Sequence, residues 1–437
     1  MAVGCAYAML VFIRRHNRAC YACAYRVRLS CARAVRRHPA NAKAKPAMND
    51  SVLIIEPDFS GHRWRYAEWA ANAYMEAGYR CVIVTEPRNE GHPLVRKIRE
   101  QGAANLDIAL VAPPAADGGI ASKLSYARMH RHFRHAYETA KQDRAVALVV
   151  VPYVDYFLLA LPFLRSPFGA TPWVGITMRS NFHHHLVGVR APRRPLVNAV
   201  KAQLFARAIR AGGMKTLLTI DPTLPDWWKH NGTSSGTTIE YLADPFPDAR
   251  AAEPAAAKAR LGLSEGTHVL VYGAINDRKG VFELIDALSE RAGAAYGPTL
   301  VIAGAQDADV RERLAVAVAK LTPAPVILDR FISSEDELDL FSACDVVWLG
   351  YKGHYGMSGV LVQAYRFGKP VVATADGLIG WFCRTGELGP VIDDLSAGAI
   401  NRALDDVLAR RSRPVVSGHL LERNTLSQFK ETLRQVV

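Results

Sequence analysis

Three polar turns in this chain stand where apolar runs give way to helical patterns, and their residues are suited to holding an anion. VYGAINDRKGVFELIDAL (271–288) sets Arg278 and Lys279 between an apolar run and Gly280. Two cations at the C-terminal end of a parallel strand meet a diphosphate with charge-assisted hydrogen bonds, although such a pair read alone is better explained as solvated loop cations. YKGHYGMSGVLVQAYRFGKPVVATADG (351–377) repeats the arrangement: Ser358 and Gly359 open a helix whose amides and dipole favour an anion. Two such sites at neighbouring strand ends make phosphate binding the stronger reading. The third turn, EPDFSGHRW (56–64), contains only Gly61, so no G-x-G-x-x-G dinucleotide fingerprint is present. A tight turn with Gly61 at positive φ and a ligand-facing loop both remain open there, and His62 gains a role only if that loop faces a cleft.

The residues do not form a metal site. No Asp-x-Asp ends a strand where a divalent ion would bridge a diphosphate. Cys20 and Cys23 have neither a second cysteine pair nor a suitably spaced histidine couple. His183, His184 and His185 are consecutive, so on a strand or helix they cannot all face one ion, and a solvated or acceptor-lining loop is expected. Cys81, Cys344 and Cys383 form no spacing pattern, and two of them sit in or beside apolar strand or helix patterns, which suits reduced, buried thiols of a cytoplasmic protein.

Positioning these turns requires parallel sheets. Short β-branched runs alternate with longer amphipathic stretches from Ser51 onward, the pattern of βαβ units. Strands are expected at 52–56, 80–86, 106–112, 147–153, 173–178 and 216–220, then at 268–274, 299–305, 325–330, 345–351 and 370–375. Residues 243–258, rich in Pro and Ala, read as the linker between two doubly wound domains. The basic segment 190–213 carries Leu196, Val200, Leu204 and Ala208 at helical spacing. It suits either an anionic membrane surface or ordinary packing on the sheet.

The formal net charge of +13 suggests nucleic acid until it is located. Ten of the 54 Lys and Arg lie in residues 1–47, which hold no Asp or Glu, leaving 44 basic against 41 acidic residues in the rest. Nucleic acid is therefore not an expected partner. Residues 1–47 have no sustained apolar period and read as a disordered or non-native basic extension, with Met48 a plausible true start and a targeting segment the other alternative.

The set YGAINDRKGVFELIDAL, TLVIAGA, ILDRFISSEDELDLFSACDVVWLGY and YGMSGVLVQAYRFGKPVVATADGLIG resembles the donor-binding half of the family 4 glycosyltransferases, over residues 266–394. The resemblance implies an α/β chain of the GT-B fold, with two Rossmann-like domains facing a cleft. Their expected extents are 48–245 on the acceptor side and 246–420 on the nucleotide-sugar side, with 421–437 a helix crossing back. Lys279 matches the family's diphosphate-binding lysine; the companion arginine falls at Ala274, and Arg278 can substitute for it. Phe331 and Ile332 match the loop whose backbone reads the base, and Gly356, Ser358 and Gly359 the pyrophosphate loop, with Gly61 facing the donor from the other domain. The family's paired glutamates fall at Tyr355 and Gln363. Gln363 still offers an amide to ribose hydroxyls, whereas Tyr355 offers no carboxylate.

What the resemblance implies is transfer of a hexose-type sugar, with retention and no obligatory metal or cofactor. The co-substrate is a nucleotide diphosphate sugar and the acceptor a glycan or lipid-linked molecule. The expected setting is polysaccharide or glycoconjugate synthesis in the cytoplasm, with peripheral contact at the inner membrane surface. Lys279 and Arg278 would stabilise the departing diphosphate, and His62, Asp155 and Arg179 are the acceptor-side residues. The departure at Tyr355 keeps two alternatives open, a non-catalytic sugar-nucleotide binder and a GT-B epimerase.

Overall fold

The computed structural model describes residues 50–61, 63–115, 125–142, 144–232, 236–246, 250–291, 297–409 and 420–436. The expectations for residues 1–47 and for His62 lie outside them. The first sheet contains β1 (Asp50–Ile55), β2 (Arg80–Thr85), β3 (Leu106–Leu110), β4 (Ala145–Val151), β5 (Trp173–Thr177), β6 (Thr216–Thr219) and β7 (Thr238–Tyr241). Its order is β3-β2-β1-β4-β5-β6-β7, with every pairing parallel. The second contains β8 (His268–Tyr272), β9 (Thr299–Ala303), β10 (Val326–Leu328), β11 (Val346–Leu349), β12 (Val371–Thr374) and β13 (Val391–Ile392), in the parallel order β10-β9-β8-β11-β12-β13.

Sheets covered on both faces bury whole strands, and that is why residues such as Val52, Leu53, Ile54 and Ile55 read as one apolar run. In each sheet the first strand lies centrally, so the order reverses between β1 and β4 and between β8 and β11. Ligands bind at the strands' C-terminal ends beside such switch points.

The helices that frame these points are α1 (Arg63–Glu76), α2 (Pro93–Gln101), α3 (Ser125–Lys141), α4 (Pro195–Ala211), α5 (Thr223–Asn231), α6 (Pro254–Leu261), α7 (Val281–Glu290), α8 (Ala308–Val318), α9 (Ser334–Ala343), α10 (Gly359–Arg366), α11 (Gly377–Gly386), α12 (Ala397–Ala409) and α13 (Leu426–Gln435). The linker expectation needs correction at α6, because its Ala-rich end is helical. Glu253 caps α6 by accepting the Ala256 amide at 2.7 Å, Pro254 starts the helix, and Gly262 ends it at φ 66°.

The chain's last helix returns to the first domain. Thr425 caps α13, Phe429 packs edge-on against Tyr66 and Trp69 of α1, and the Tyr74 hydroxyl donates to the Leu433 carbonyl at 3.1 Å. Phe429 and Leu433, four apart on one helical face, are both fully buried.

Candidate functional site

The loops after β8 and β11 touch, and glycine is the reason they can. A Cβ on Gly280 would lie 2.2 Å from the Gly350 carbonyl oxygen, and Gly280 also adopts φ 63°. Lys279 follows from this contact. It is 5% exposed, and its Nζ donates to the Tyr272 carbonyl at 2.8 Å and to the Tyr351 hydroxyl at 2.6 Å, 4.3 Å from that ring's centroid. Two of three ammonium protons are thus engaged, and one remains for a ligand.

Arg278 is exposed. Its Nη1 donates to His354 Nδ1 at 3.1 Å, while His354 Nε2 donates to the Met357 carbonyl at 3.1 Å. That pairing requires the neutral imidazole, and burial holds the His354 pKa below the usual histidine value, with Arg278 and Lys279 acting in the same direction. The contacts of Lys279 and Arg278 bring the first anion-suited turn against the second.

Ser358 precedes α10 in extended conformation, and its hydroxyl does not cap the helix. The start of α10 is set by the linker, because a Cβ on Gly359 would lie 3.1 Å from the Phe246 ring. Gln363, one turn on, is buried and makes no side-chain hydrogen bond among the described residues. Phe331, after β10, is 83% exposed, and its neighbour Ile332 is buried. Tyr355 is half-buried, and its carbonyl accepts the Leu378 amide at 3.1 Å.

On the facing domain the ends of β1, β4 and β5 form one cluster, most of which sequence reasoning missed. Glu56 is fully buried; its Oε1 accepts the Asp58 amide at 3.1 Å and the Tyr156 hydroxyl at 3.0 Å, and Oε2 has no partner. Burial pushes its carboxyl up to about 8, against hydrogen bonds from Asp58 and Tyr156 and the nearby Arg63 charge. Arg63, at the start of α1, pairs with Asp58 and donates to Tyr156 at 2.7 Å. The guanidiniums of Arg63 and Arg179 lie 5.0 and 5.4 Å from the Tyr153 ring centroid. An acid closing the apolar run VLIIE was the only local signal of this cluster.

The three acceptor-side residues separate. Asp155 is turned inward, where its carboxylate accepts the Thr177 hydroxyl at 2.7 Å and the Met178 amide at 2.8 Å, so it holds the loop after β5. Burial raises its pKa, opposed by those bonds. Arg179 is exposed, and His62 lies outside the described residues. Gly61 adopts φ 64° with open space where a Cβ would stand. The loop after β5 meets the second domain at Gly356, whose Cβ position is 4.0 Å from the Met178 carbonyl oxygen.

The expectation of a solvated or acceptor-lining loop at 183–185 is overturned for two of the three histidines. His183 and His184 are buried, and both Nε2 atoms approach Asp221 Oδ2, at 3.3 and 2.7 Å. Burial works against the Asp221 carboxylate, yet the two histidines hold its pKa below the usual range. These three groups lie within 4.8 Å of one another, close enough to consider an ion. However, neither histidine's Nδ1 has a partner, whereas a metal-bound imidazole normally donates its second nitrogen to a neighbour. Burial holds the His183 pKa below the usual histidine value, and the arrangement fits a buried hydrogen-bonded lock. A cavity of about 420 Å³ lies elsewhere, between α1, α2 and the start of β3, away from the strand ends that carry these groups.

Residues 256–418 match the family model described as glycosyl transferases group 1. The lipopolysaccharide core biosynthesis glycosyltransferase LpsE of Rhizobium meliloti (strain 1021) is 28% identical over 154 residues, 35% of this chain and 43% of the relative, so the match spans less than half of that protein. Among solved structures, Anabaena Alr3699/HepE in complex with UDP and glucose superposes with a TM-score of 0.58 at 15% identity, over 88% of this chain and 98% of the other. WaaG, a glycosyltransferase involved in lipopolysaccharide biosynthesis, gives 0.55 at 15% identity, over 89% and 99%. Sucrose-phosphate synthase from Thermosynechococcus elongatus gives 0.59 at 15% identity, over 89% and 94%. The chain thus has two parallel-sheet domains of the GT-B fold, and the segment similar to the group 1 glycosyl transferases spans the entire second sheet.

Proposed function

We propose that this chain transfers a hexose-type sugar from a nucleotide diphosphate sugar to a glycan or lipid-linked acceptor in surface polysaccharide or glycoconjugate synthesis. The observation that carries the reading is the meeting of Lys279, Arg278 and the start of α10 at the β8/β11 switch point. A departing diphosphate gains charge there, opposite one free ammonium proton, an exposed guanidinium and helix amides. Gln363 offers a buried side-chain amide to the ribose, and Phe331 an exposed ring beside the backbone that would meet the base. Retention and independence of a resident metal are carried over from the family resemblance.

The acceptor would enter against Arg179 and the Gly61 turn, with Asp155 fixing the loop that carries Arg179. A lipid-linked acceptor accords with the first half of α4, where Leu196 is 73% exposed beside exposed Val197, Val200, Arg193, Arg194 and Lys201. The second half packs inward through Phe205, Ala208 and Ile209, so the two sequence alternatives for this helix divide along its length. No described helix is long and apolar enough to cross a membrane, and attachment through this patch would be peripheral.

Tyr355, in place of a carboxylate, favours one second reading, a sugar-nucleotide binder without turnover. A panel of UDP-, GDP- and ADP-sugars, followed by nucleotide release and calorimetric titration, separates the two. Release with one nucleotide class is expected. Binding without release supports the second reading, and neither binding nor release refutes both.

A further inference from the structure

We propose that residues 181–190 form an interdomain arm and that Arg190 at its tip is a positioning residue for the loop 354–359. The inference rests on the reading above only in taking that loop as the donor loop.

The root of the arm is fixed in the first domain. His183 and His184 both engage Asp221, His183 Nε2 also lies 3.0 Å from Thr223 Oγ1, and the remaining Asp221 oxygen accepts the Thr223 amide and hydroxyl at 2.8 and 2.6 Å. Phe182 packs edge-on against Trp227 at 5.3 Å. With the Asp221 carboxylate and the Thr223 hydroxyl hydrogen-bonded under cover, this root opens only by exposing a buried carboxylate stripped of its donors.

Beyond the root the arm leaves its own domain. Val187 packs against the cores of both domains, and Val189 is buried in the core of the second. Arg190 then lies parallel to Asp376: its carbonyl accepts the Gly377 amide at 2.8 Å, and Nε reaches Asp376 Oδ1 at 3.0 Å. Its Nη1 reaches Asp393 Oδ1 at 2.6 Å. The ion pairs are solvent-exposed, Asp393 most of all, and individually weak, so the main-chain bond and the buried valine fix the arm and the charges select its register.

The other side of Gly377 presses on the donor loop. Gly377 adopts φ 65°, and a Cβ there would lie 2.4 Å from Tyr355 Cα and 2.7 Å from the His354 carbonyl oxygen. The next amide, of Leu378, donates to the Tyr355 carbonyl at 3.1 Å. The peptide at 376–378 is therefore held between Arg190 of one domain and Tyr355 of the other. The loop 354–359 has its present shape only while the first domain's arm is seated.

The test compares wild type with Arg190→Ala, Arg190→Lys and Val189→Ala/Arg190→Ala. Hydrogen exchange of amides 354–359 and 377–378 is read in the nucleotide-free protein, and the affinity for UDP, GDP and ADP together with donor KM and kcat in the same samples. Loss of both ion pairs should speed exchange in those segments by about fivefold, leave the amides of β1 and β4 unchanged, and raise donor KM more than it lowers kcat. Arg190→Lys should recover part of each effect. Unchanged exchange at 354–359 in Arg190→Ala overturns the inference, and so does a uniform acceleration that includes β1. If the double variant does not fold, Arg190→Ala, which alters a half-exposed side chain, decides alone. A wild type that binds none of the three nucleotides overturns the donor-site reading instead, and exchange still judges the arm.

Discussion

Glu56→Gln offers the sharpest electrostatic test of the first domain. The wild-type carboxyl is fully buried with Oε2 unpartnered, and burial raises its pKa from 4.5 to about 8. Between those values the native state holds a proton that the unfolded chain has released. Stability therefore falls as pH rises, by about 1.4 kcal/mol per pH unit, from a penalty near zero below pH 4.5 to about 5 kcal/mol above pH 8. Glutamine keeps an oxygen for the Asp58 amide and the Tyr156 hydroxyl and has no proton to lose. The variant should match wild type near pH 4.5 and exceed it increasingly toward pH 8.5. Melting curves from pH 5 to 8.5 measure the gap, which should widen by roughly 8 to 16 °C for a domain of this size. Parallel curves would show that the carboxyl is not held neutral. A variant that loses stability at high pH would show instead an ionised Glu56 paired with Arg63.

Lys279→Ala removes the ammonium proton left for the leaving diphosphate and should lower turnover by about two orders of magnitude, which steady-state kinetics would reveal; unchanged turnover places Lys279 outside the reaction. Gln363→Glu should bind UDP or GDP as wild type does, whereas Gln363→Leu should weaken binding by about 1 to 3 kcal/mol, and calorimetry that finds both unaltered removes Gln363 from the ribose site. Leu196→Ser with Val200→Ser should abolish sedimentation with vesicles rich in anionic lipid while leaving the melting temperature unchanged, since both side chains are exposed. Retained sedimentation would move the membrane contact off α4.

The parallel strands were legible because burial on both faces makes them apolar throughout, and each expected run overlaps an observed strand. What escaped was peripheral. β7, Thr238–Tyr241, is an edge strand with alternating exposure, and β13 has only two residues, too few for a period. Helix α6 was hidden inside a composition of Pro and Ala that reads as linker, although Glu253, Pro254 and Gly262 spell its start and stop. The histidine triple departs from its expected setting because it lies on neither a strand nor a regular α-helix. The chain turns there instead, through a short 3-10 segment at His184–Leu186, and two adjacent rings reach one carboxylate.

The two sides of the site differed in legibility for a physical reason. An anion-suited turn is a strand end, a tight bend and a helix start contiguous in the chain, so Arg278 with Lys279 and Ser358 with Gly359 each stand out by spacing. The partner of Lys279 could not, since Tyr351 lies 72 residues away and its hydroxyl determines how much of the ammonium is free. The first domain's cluster has no contiguous unit. Glu56, Arg63, Tyr153, Tyr156 and Arg179 come from three separate strand ends and a helix start, and they share no spacing until the sheet brings them together. Tyr355 shows how the two sides meet. Its side chain departs from the family's carboxylate, but its backbone is fixed through Leu378 and Gly377 by Arg190 of the opposite domain. The shape of the loop at this position is thus set from both domains, and a variant at Tyr355 alone tests only the half that the side chain contributes.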